Sequence, residues 1–92
     1  MDTSHSPSFQ GRKLLVVGGT SGIGLQTARL ALQQGASVVI VGQRPDKAEA
    51  ARQQLAPLGK VESLVADLGS EAGLASLLQA IEDRHPDIDL LV

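Results

Sequence analysis

The sequence predicts an α/β fold in which a parallel sheet carries helices on both faces. Four short apolar runs alternate with three longer segments whose apolar residues recur at helical spacing. The first two runs, at 14–17 and 38–41, contain no polar residue, which is typical of strands buried on both faces of a sheet. Strands that alternate with helices pair in parallel, because each right-handed crossover returns the chain to the same end of the sheet.

The first strand, helix and strand follow a polar N-terminus. Residues 1–10 are predicted to form a flexible tail, and residues 14–17 form the first strand. A helix is expected at 22–34, because small and apolar side chains repeat there every three or four positions, and Gly35 follows as a C-terminal cap. The second strand, at 38–41, ends at the next glycine.

Capping residues mark the next two helices. Pro45 and Asp46 open a helix at 45–56, since proline suits the first turn and aspartate the positive helix end. The third strand, at 61–66, is more polar, which favours an edge position in the sheet. Ser70 is expected to cap the third helix.

The third helix carries an apolar stripe that is expected to pack in the core. The stripe consists of Leu74, Leu77, Leu78 and Ile81. A fourth apolar run at 88–92 begins another strand. Four strands and three helices match the first half of a doubly wound, Rossmann-like three-layer fold. Residues 11–92 are therefore expected to be the N-terminal part of such a domain, truncated in its fourth strand.

Composition excludes several classes of protein. With 42% hydrophobic residues, 20% charged residues and a net charge of −2, the chain lacks the basic surplus of a nucleic-acid-binding protein. Cysteine is absent, which excludes disulfides and thiolate metal sites and favours a reducing, cytoplasmic environment. No apolar run approaches the roughly 18 residues of a membrane span. Two distant histidines predict no metal site.

A glycine-rich turn follows the first strand. Gly18, Gly22 and Gly24 have the spacing GxxxGxG, which differs from the GxGxxG dinucleotide fingerprint. The lysine and hydroxyl residue of a P-loop are also missing after the last glycine. Glycines at a helix start leave room for an anion beside unpaired backbone N–H groups. The turn therefore predicts a phosphate-binding site.

At these residues the sequence resembles the short-chain dehydrogenase/reductase family, whose cofactor turn reads TGxxxGIG. The three glycines and Ile23 coincide with that motif, while Val17 replaces the usual threonine. The stretches VADL at 65–68 and IDLLV at 88–92 also resemble the family. The resemblance implies an oxidoreductase that uses a nicotinamide cofactor on a small carbonyl or hydroxyl substrate.

The resemblance also implies roles for single residues. It places Thr20 and Ser21 at the cofactor's phosphates and Ile23 beside the pyrophosphate. Asp67, followed by Leu68, matches the family's adenine-binding position. Aspartate is equally common in turns at strand ends, so a purely structural role is the alternative.

The residues after the second strand favour NADP(H) over NAD(H). An NAD-binding protein places an acidic residue about 20 residues after the glycines to bind the ribose hydroxyls. Here Gly42 is followed by Gln43 and Arg44, and the Arg44 guanidinium suits a 2′-phosphate. NADP-preferring members of the resembled family often carry the arginine directly after the glycine, whereas here Gln43 intervenes. A solvated surface arginine is the alternative.

The catalytic residues of the resembled family are a tyrosine, a lysine four residues later and a serine. The chain contains no tyrosine, so no catalytic residue is assigned and the 92 residues alone are expected to be inactive. They are expected to be the cofactor-binding portion of a longer, homo-oligomeric enzyme without nucleic-acid or membrane partners. A noncatalytic NAD(P)-binding sensor or scaffold is the alternative. A methyltransferase is disfavoured, because it would place an acid after the second strand.

Overall fold

The computed structural model describes residues 10–18 and 22–91. Its elements are β1 (Lys13–Val17), α1 (Gly22–Gln33), β2 (Ser37–Gly42), α2 (Pro45–Leu55), a short 3-10 helix (Ala56–Leu58), β3 (Val61–Val65), α3 (Glu71–Arg84) and β4 (Leu90–Leu91). Strands and helices alternate as the sequence predicts. Residues 1–9 of the predicted tail, which was expected at 1–10, and the last residue of the fourth apolar run lie outside the described residues. No helix within the described part is long and apolar enough to cross a membrane.

The four strands form one parallel sheet in the order β3-β2-β1-β4. β1 and β2 pair from Lys13 with Ser37 to Val17 with Val41. From β1 the chain moves outward to β3, which lies at the edge as predicted, and then returns to the opposite side of β1. The strand order therefore reverses between β1 and β4. Open α/β sheets bind ligands at such a reversal, outside the carboxyl ends of the strands.

Two hydrophobic cores lie on opposite faces of the sheet, because successive strand residues point to opposite faces. On the first face, α1 and α2 pack against side chains that include Leu14 and Val38. On the second face, α3 packs against a set that includes Leu15 and Val39. Burial on both faces explains why the sequence of β2 is a continuous apolar run. The predicted Rossmann-like architecture is confirmed.

The apolar stripe of α3 is only half packed, which corrects the expectation that all of it lies in the core. Leu77 is 7% exposed, and Ile81 packs against the same second-face core. Leu74 and Leu78 are 44% and 62% exposed. The stripe consists of two neighbouring rows at i,i+4 spacing, and the sheet lies under only one of them. Periodicity therefore identifies the helix but not the row that is buried.

The helix ends follow the predicted capping chemistry. Gly35 follows α1 with φ +95°, and the Oγ of Ser70 accepts the N–H of Gly73 at 2.9 Å. Pro45 opens α2 in its first turn. A Cβ on Gly35 would lie 3.1 Å from the Cα of Gln10, so the last residue of the predicted tail lies close to the end of α1.

Candidate functional site

The glycine turn lies at the carboxyl end of β1. Gly18 has φ +81° and Gly22 has φ +61°, conformations that residues with a side chain rarely adopt. A Cβ built on either glycine would meet no heavy atom within 4 Å among the described residues. Backbone conformation, not crowding, therefore requires glycine at these two positions.

The start of α1 is free of carboxylates. Its first turn carries no acidic side chain, whereas the first turns of α2 and α3 carry Asp46 and Glu71. Gly24 lies in the first turn of α1, and Ile23 beside it is 86% exposed. No residue of this first turn therefore places a carboxylate at the positive end of the helix dipole, where an anion binds favourably. Thr20 and Ser21, the predicted phosphate contacts, lie outside the described residues.

Backbone hydrogen bonds join the carboxyl ends of three strands. The N–H of Gly18 donates to the carbonyl of Val41 at 2.8 Å, and the N–H of Ala66 donates to the carbonyl of Gly42 at 3.0 Å. Gln43 and Arg44 follow β2 directly, and Asp67 follows β3. The predicted site residues that the structure describes therefore lie along one edge of the sheet, the edge formed by the carboxyl ends of the strands.

Arg44 is exposed at this edge and has a carboxylate partner. Its Nη2 lies 3.3 Å from the Oδ2 of Asp46, and the two side chains are 66% and 67% exposed. Desolvation acts to raise the pKa of Asp46, but the backbone N–H of Lys47 and the charge of Arg44 outweigh it and lower this pKa. Asp46 is therefore ionised at neutral pH. From the sequence, Asp46 was predicted only to favour the start of α2, and its ion pair with Arg44 was not predicted.

Asp67 forms the turn between β3 and α3. Its Oδ1 accepts the N–H of Gly69 at 3.0 Å, and its carbonyl accepts the N–H of Ser70 at 3.3 Å. The turn role that the sequence left open is thus present, and it leaves the other carboxylate oxygen without a hydrogen bond to the described residues. Leu68 is partly buried against the second-face core.

Gly73 supports Asp67 from the first turn of α3, and sequence reasoning did not single it out. A Cβ at this position would lie 1.9 Å from the carbonyl oxygen of Asp67. α3 can therefore approach the Asp67 turn only through a bare backbone. A glycine inside a predicted helix was the available signal, since it costs stability unless packing requires it.

His85 is buried at the opposite end of the sheet. It ends α3, is 3% exposed, and its Nε2 lies 2.9 Å from the Oε2 of Glu62 near the amino end of β3. Its Nδ1 has no hydrogen-bond partner among the described atoms. A cavity of about 420 Å³, lined by residues that include His85, Leu15 and Ile88, also lies away from the glycine turn. His85 joins α3 to the edge strand and lies outside the candidate site.

Comparison with known proteins identifies a family whose sequence profile matches this chain. The sequence profile of the family described as short chain dehydrogenase matches residues 12–92. The chain is 36% identical over 83 residues to the 3-oxoacyl-(acyl-carrier-protein) reductase FabG of Chlamydia pneumoniae, covering 89% of this chain and 34% of the relative. It is 40% identical over 86 residues to the 3-beta-hydroxysteroid dehydrogenase of Comamonas testosteroni, covering 91% and 32%.

A solved structure gives the same result for the fold. The structure described as the RhlG/NADP active-site complex of Pseudomonas aeruginosa matches with a TM-score of 0.87 and 36% identity, over 91% of this chain and 33% of that one. The chain thus spans about a third of the length of the curated relatives it matches, such as the 34% of the FabG reductase. The two curated relatives are named for carbonyl or hydroxyl chemistry, which does not favour the noncatalytic alternative.

Proposed function

Because the chain belongs to the short chain dehydrogenase family, we propose that it forms the cofactor-binding part of an NADP(H)-dependent oxidoreductase. The reaction would interconvert a carbonyl and a hydroxyl group on a small molecule. The observation that carries the choice of cofactor is the position of Arg44. It lies exposed at the sheet edge that holds the glycine turn, and no acidic residue stands in the Gly42, Gln43, Arg44 sequence.

In this proposal the start of α1 binds the cofactor's diphosphate. The positive φ angles of Gly18 and Gly22 shape the turn. Gly24 and Ile23 belong to the first helical turn, which would lie beside the anion. Thr20 and Ser21 add hydroxyl groups. The interaction of a negative charge with a helix N-terminus contributes about 0.3–1 kcal/mol at exposed sites and up to about 2 kcal/mol when partly buried. The absence of an acid in this turn leaves that contribution to the ligand.

The end of β2 selects the phosphorylated cofactor. The Arg44 guanidinium would pair with the 2′-phosphate of the adenosine ribose, a geometry that arginine suits because it offers two parallel N–H donors. Gln43, exposed beside it, would donate to the same ribose. A solved relative is described as an NADP complex, which supports the choice. Asp67 and Leu68 would contact the adenine at the end of β3.

No catalytic residue is assigned to this chain, because it contains no tyrosine. The nicotinamide supplies or accepts the hydride when bound, and the described residues bind and orient the adenosine and diphosphate part. The cytoplasmic location and the homo-oligomeric state of the full-length enzyme remain predictions that belong to the same proposal.

Charge reversal at Arg44 tests the proposal. In the full-length protein, Arg44→Glu is expected to weaken NADPH binding roughly tenfold to a thousandfold, the range that Coulomb energies at effective dielectrics of 80 and 20 give for a charge pair about 4 Å apart. NADH binding should not weaken, because NADH has no 2′-phosphate and the new carboxylate can accept hydrogen bonds from its ribose hydroxyls. Fluorescence titration of both cofactors measures the difference.

Arg52→Glu provides the matched control for this experiment. Arg52 lies in α2 and pairs with Glu49. The control should not change the affinity for NADPH relative to the affinity for NADH. Equal weakening of NADPH and NADH by Arg44→Glu would contradict the assignment.

A further inference from the structure

Asp46 occupies a place at the site that the proposed function does not explain. It follows Pro45 in the first turn of α2, an 11-residue helix, at the sheet edge that carries Arg44. Its Oδ2 lies 3.3 Å from the Arg44 Nη2. Both side chains are more than half exposed, so the pair is open to a ligand from solvent.

The partners of the Asp46 carboxylate are those that a phosphate would seek. One is the Arg44 guanidinium, and the other is the start of α2, where the backbone N–H groups of Asp46 and Lys47 act on the carboxylate. The carboxylate is thus an anion already paired with the guanidinium that the proposed function assigns to the 2′-phosphate. The first turn of α1, where the diphosphate is proposed to bind, has no such acid. Of the two helix starts proposed to bind an anion, that of α1 therefore has no competing carboxylate, and that of α2 carries one.

We infer that Asp46 determines cofactor specificity by competing with the 2′-phosphate for Arg44, and so weakens the preference for NADP(H). This rests on the proposed function, because it requires that Arg44 meets the 2′-phosphate. To bind that phosphate, Arg44 leaves Asp46 or shares its guanidinium with it. The carboxylate also repels the arriving dianion. Neither effect acts on NADH, which carries a hydroxyl group at the same position.

The test uses ligands that differ only in this phosphate. Adenosine 2′,5′-bisphosphate and AMP are titrated against the full-length protein and its Asp46→Asn variant by calorimetry, so that the readout does not depend on catalysis. Asp46→Asn should tighten binding of the bisphosphate by about two- to fivefold, the range of a single exposed ion pair. Binding of AMP should stay within the error of the measurement. The gain should shrink at high salt, where exposed charges are screened.

Glu49→Gln is the matched control, because it removes one exposed negative charge from the next turn of α2 without a contact to Arg44. It should leave both ligands unchanged. Asp46→Ser is the second variant, because serine is well accepted near a helix start and removes the carboxylate with a smaller side chain. A thermal melt by circular dichroism shows whether each variant is folded.

The same titrations in an Arg44→Gln background separate the inference from the proposed function. If Asp46 acts through Arg44, Asp46→Asn should have no effect once Arg44 is gone. An equal gain in both backgrounds would overturn the inference, as would an unchanged affinity for the bisphosphate. Weaker AMP binding in Asp46→Asn would also overturn it, because Asp46 would then be binding the ribose hydroxyls. Failure of Arg44→Glu to reduce NADPH binding would instead remove the proposed function.

Discussion

Two glycines that follow Asp67, one in its turn and one in α3, differ in what a methyl group would meet. At Gly73 an added Cβ would lie 1.9 Å from the Asp67 carbonyl oxygen, a distance at which the backbone must move. At Gly69 it would lie 3.4 Å from the Asp67 Oδ1, an ordinary van der Waals contact. The position of the proposed adenine-binding residue therefore depends on one bare backbone site in the neighbouring helix.

Gly73→Ala is expected to destabilise the protein by about 1–3 kcal/mol, the usual cost of forcing atoms into a packed site. It should also weaken cofactor binding, because Asp67 is displaced. Gly69→Ala should change stability by about 0.5 kcal/mol or less. Urea denaturation and cofactor titration of both variants measure the two effects. Equal stability of the two variants would contradict the close approach.

Single residues were predictable from sequence where the chemistry is local. The caps formed by Gly35 and Ser70 follow from short-range rules, and the structure confirms them. Gly73 could not be found in this way, because its requirement comes from Asp67 across a turn. The ion pair of Arg44 escaped notice because each residue already had a separate explanation.

At the scale of elements, α3 shows what a sequence pattern leaves open. Its two apolar rows have the same composition, yet Leu77 is 7% exposed and Leu78 is 62% exposed. Only the three-dimensional position of the sheet distinguishes them. The burial of β1 and β2 was predictable from their continuous apolar runs, because both faces of a central parallel strand are covered.

Truncation of the two leucines measures this difference. Leu77→Ala should cost about 2–5 kcal/mol of unfolding free energy, because a buried leucine leaves a cavity. Leu78→Ala should cost about 0.5 kcal/mol or less, since an exposed side chain loses little packing. Chemical denaturation of each variant gives both values. Similar losses would show that the second row is also buried.

A carboxyl group of α2 makes the free energy of unfolding depend on pH in the acid range. Hydrogen bonds from Arg52 and then Gln53 lower the pKa of Glu49 from 4.5 to about 2. Because the folded-state pKa is the lower one, this stabilisation is fully present above pH 4.5 and is lost as the pH falls toward 2. Exposure keeps it small. Glu49→Gln should therefore flatten the dependence of unfolding free energy on pH in this window. Parallel curves for the variant and the unsubstituted protein would contradict the assignment.

At the scale of the whole molecule, hydrogen bonds and ion pairs of polar side chains connect the amino ends of the strands to neighbouring segments. The N–H of Lys13 donates to the Asp89 Oδ2 at 3.0 Å, which ties the start of β1 to the segment before β4. The Lys13 ammonium donates a hydrogen bond to Asp87 at 3.1 Å, which lowers the pKa of that carboxyl. His85 and Glu62 add a third contact. The sequence predicted that 88–92 would begin a strand but not which side chains would anchor it.

The side-chain contacts at the amino ends have a practical consequence for engineering. They lie at the end of the sheet opposite to the groups proposed to select the cofactor. Directed evolution of nucleotide preference at Gln43, Arg44 or Asp46 therefore leaves these contacts in place.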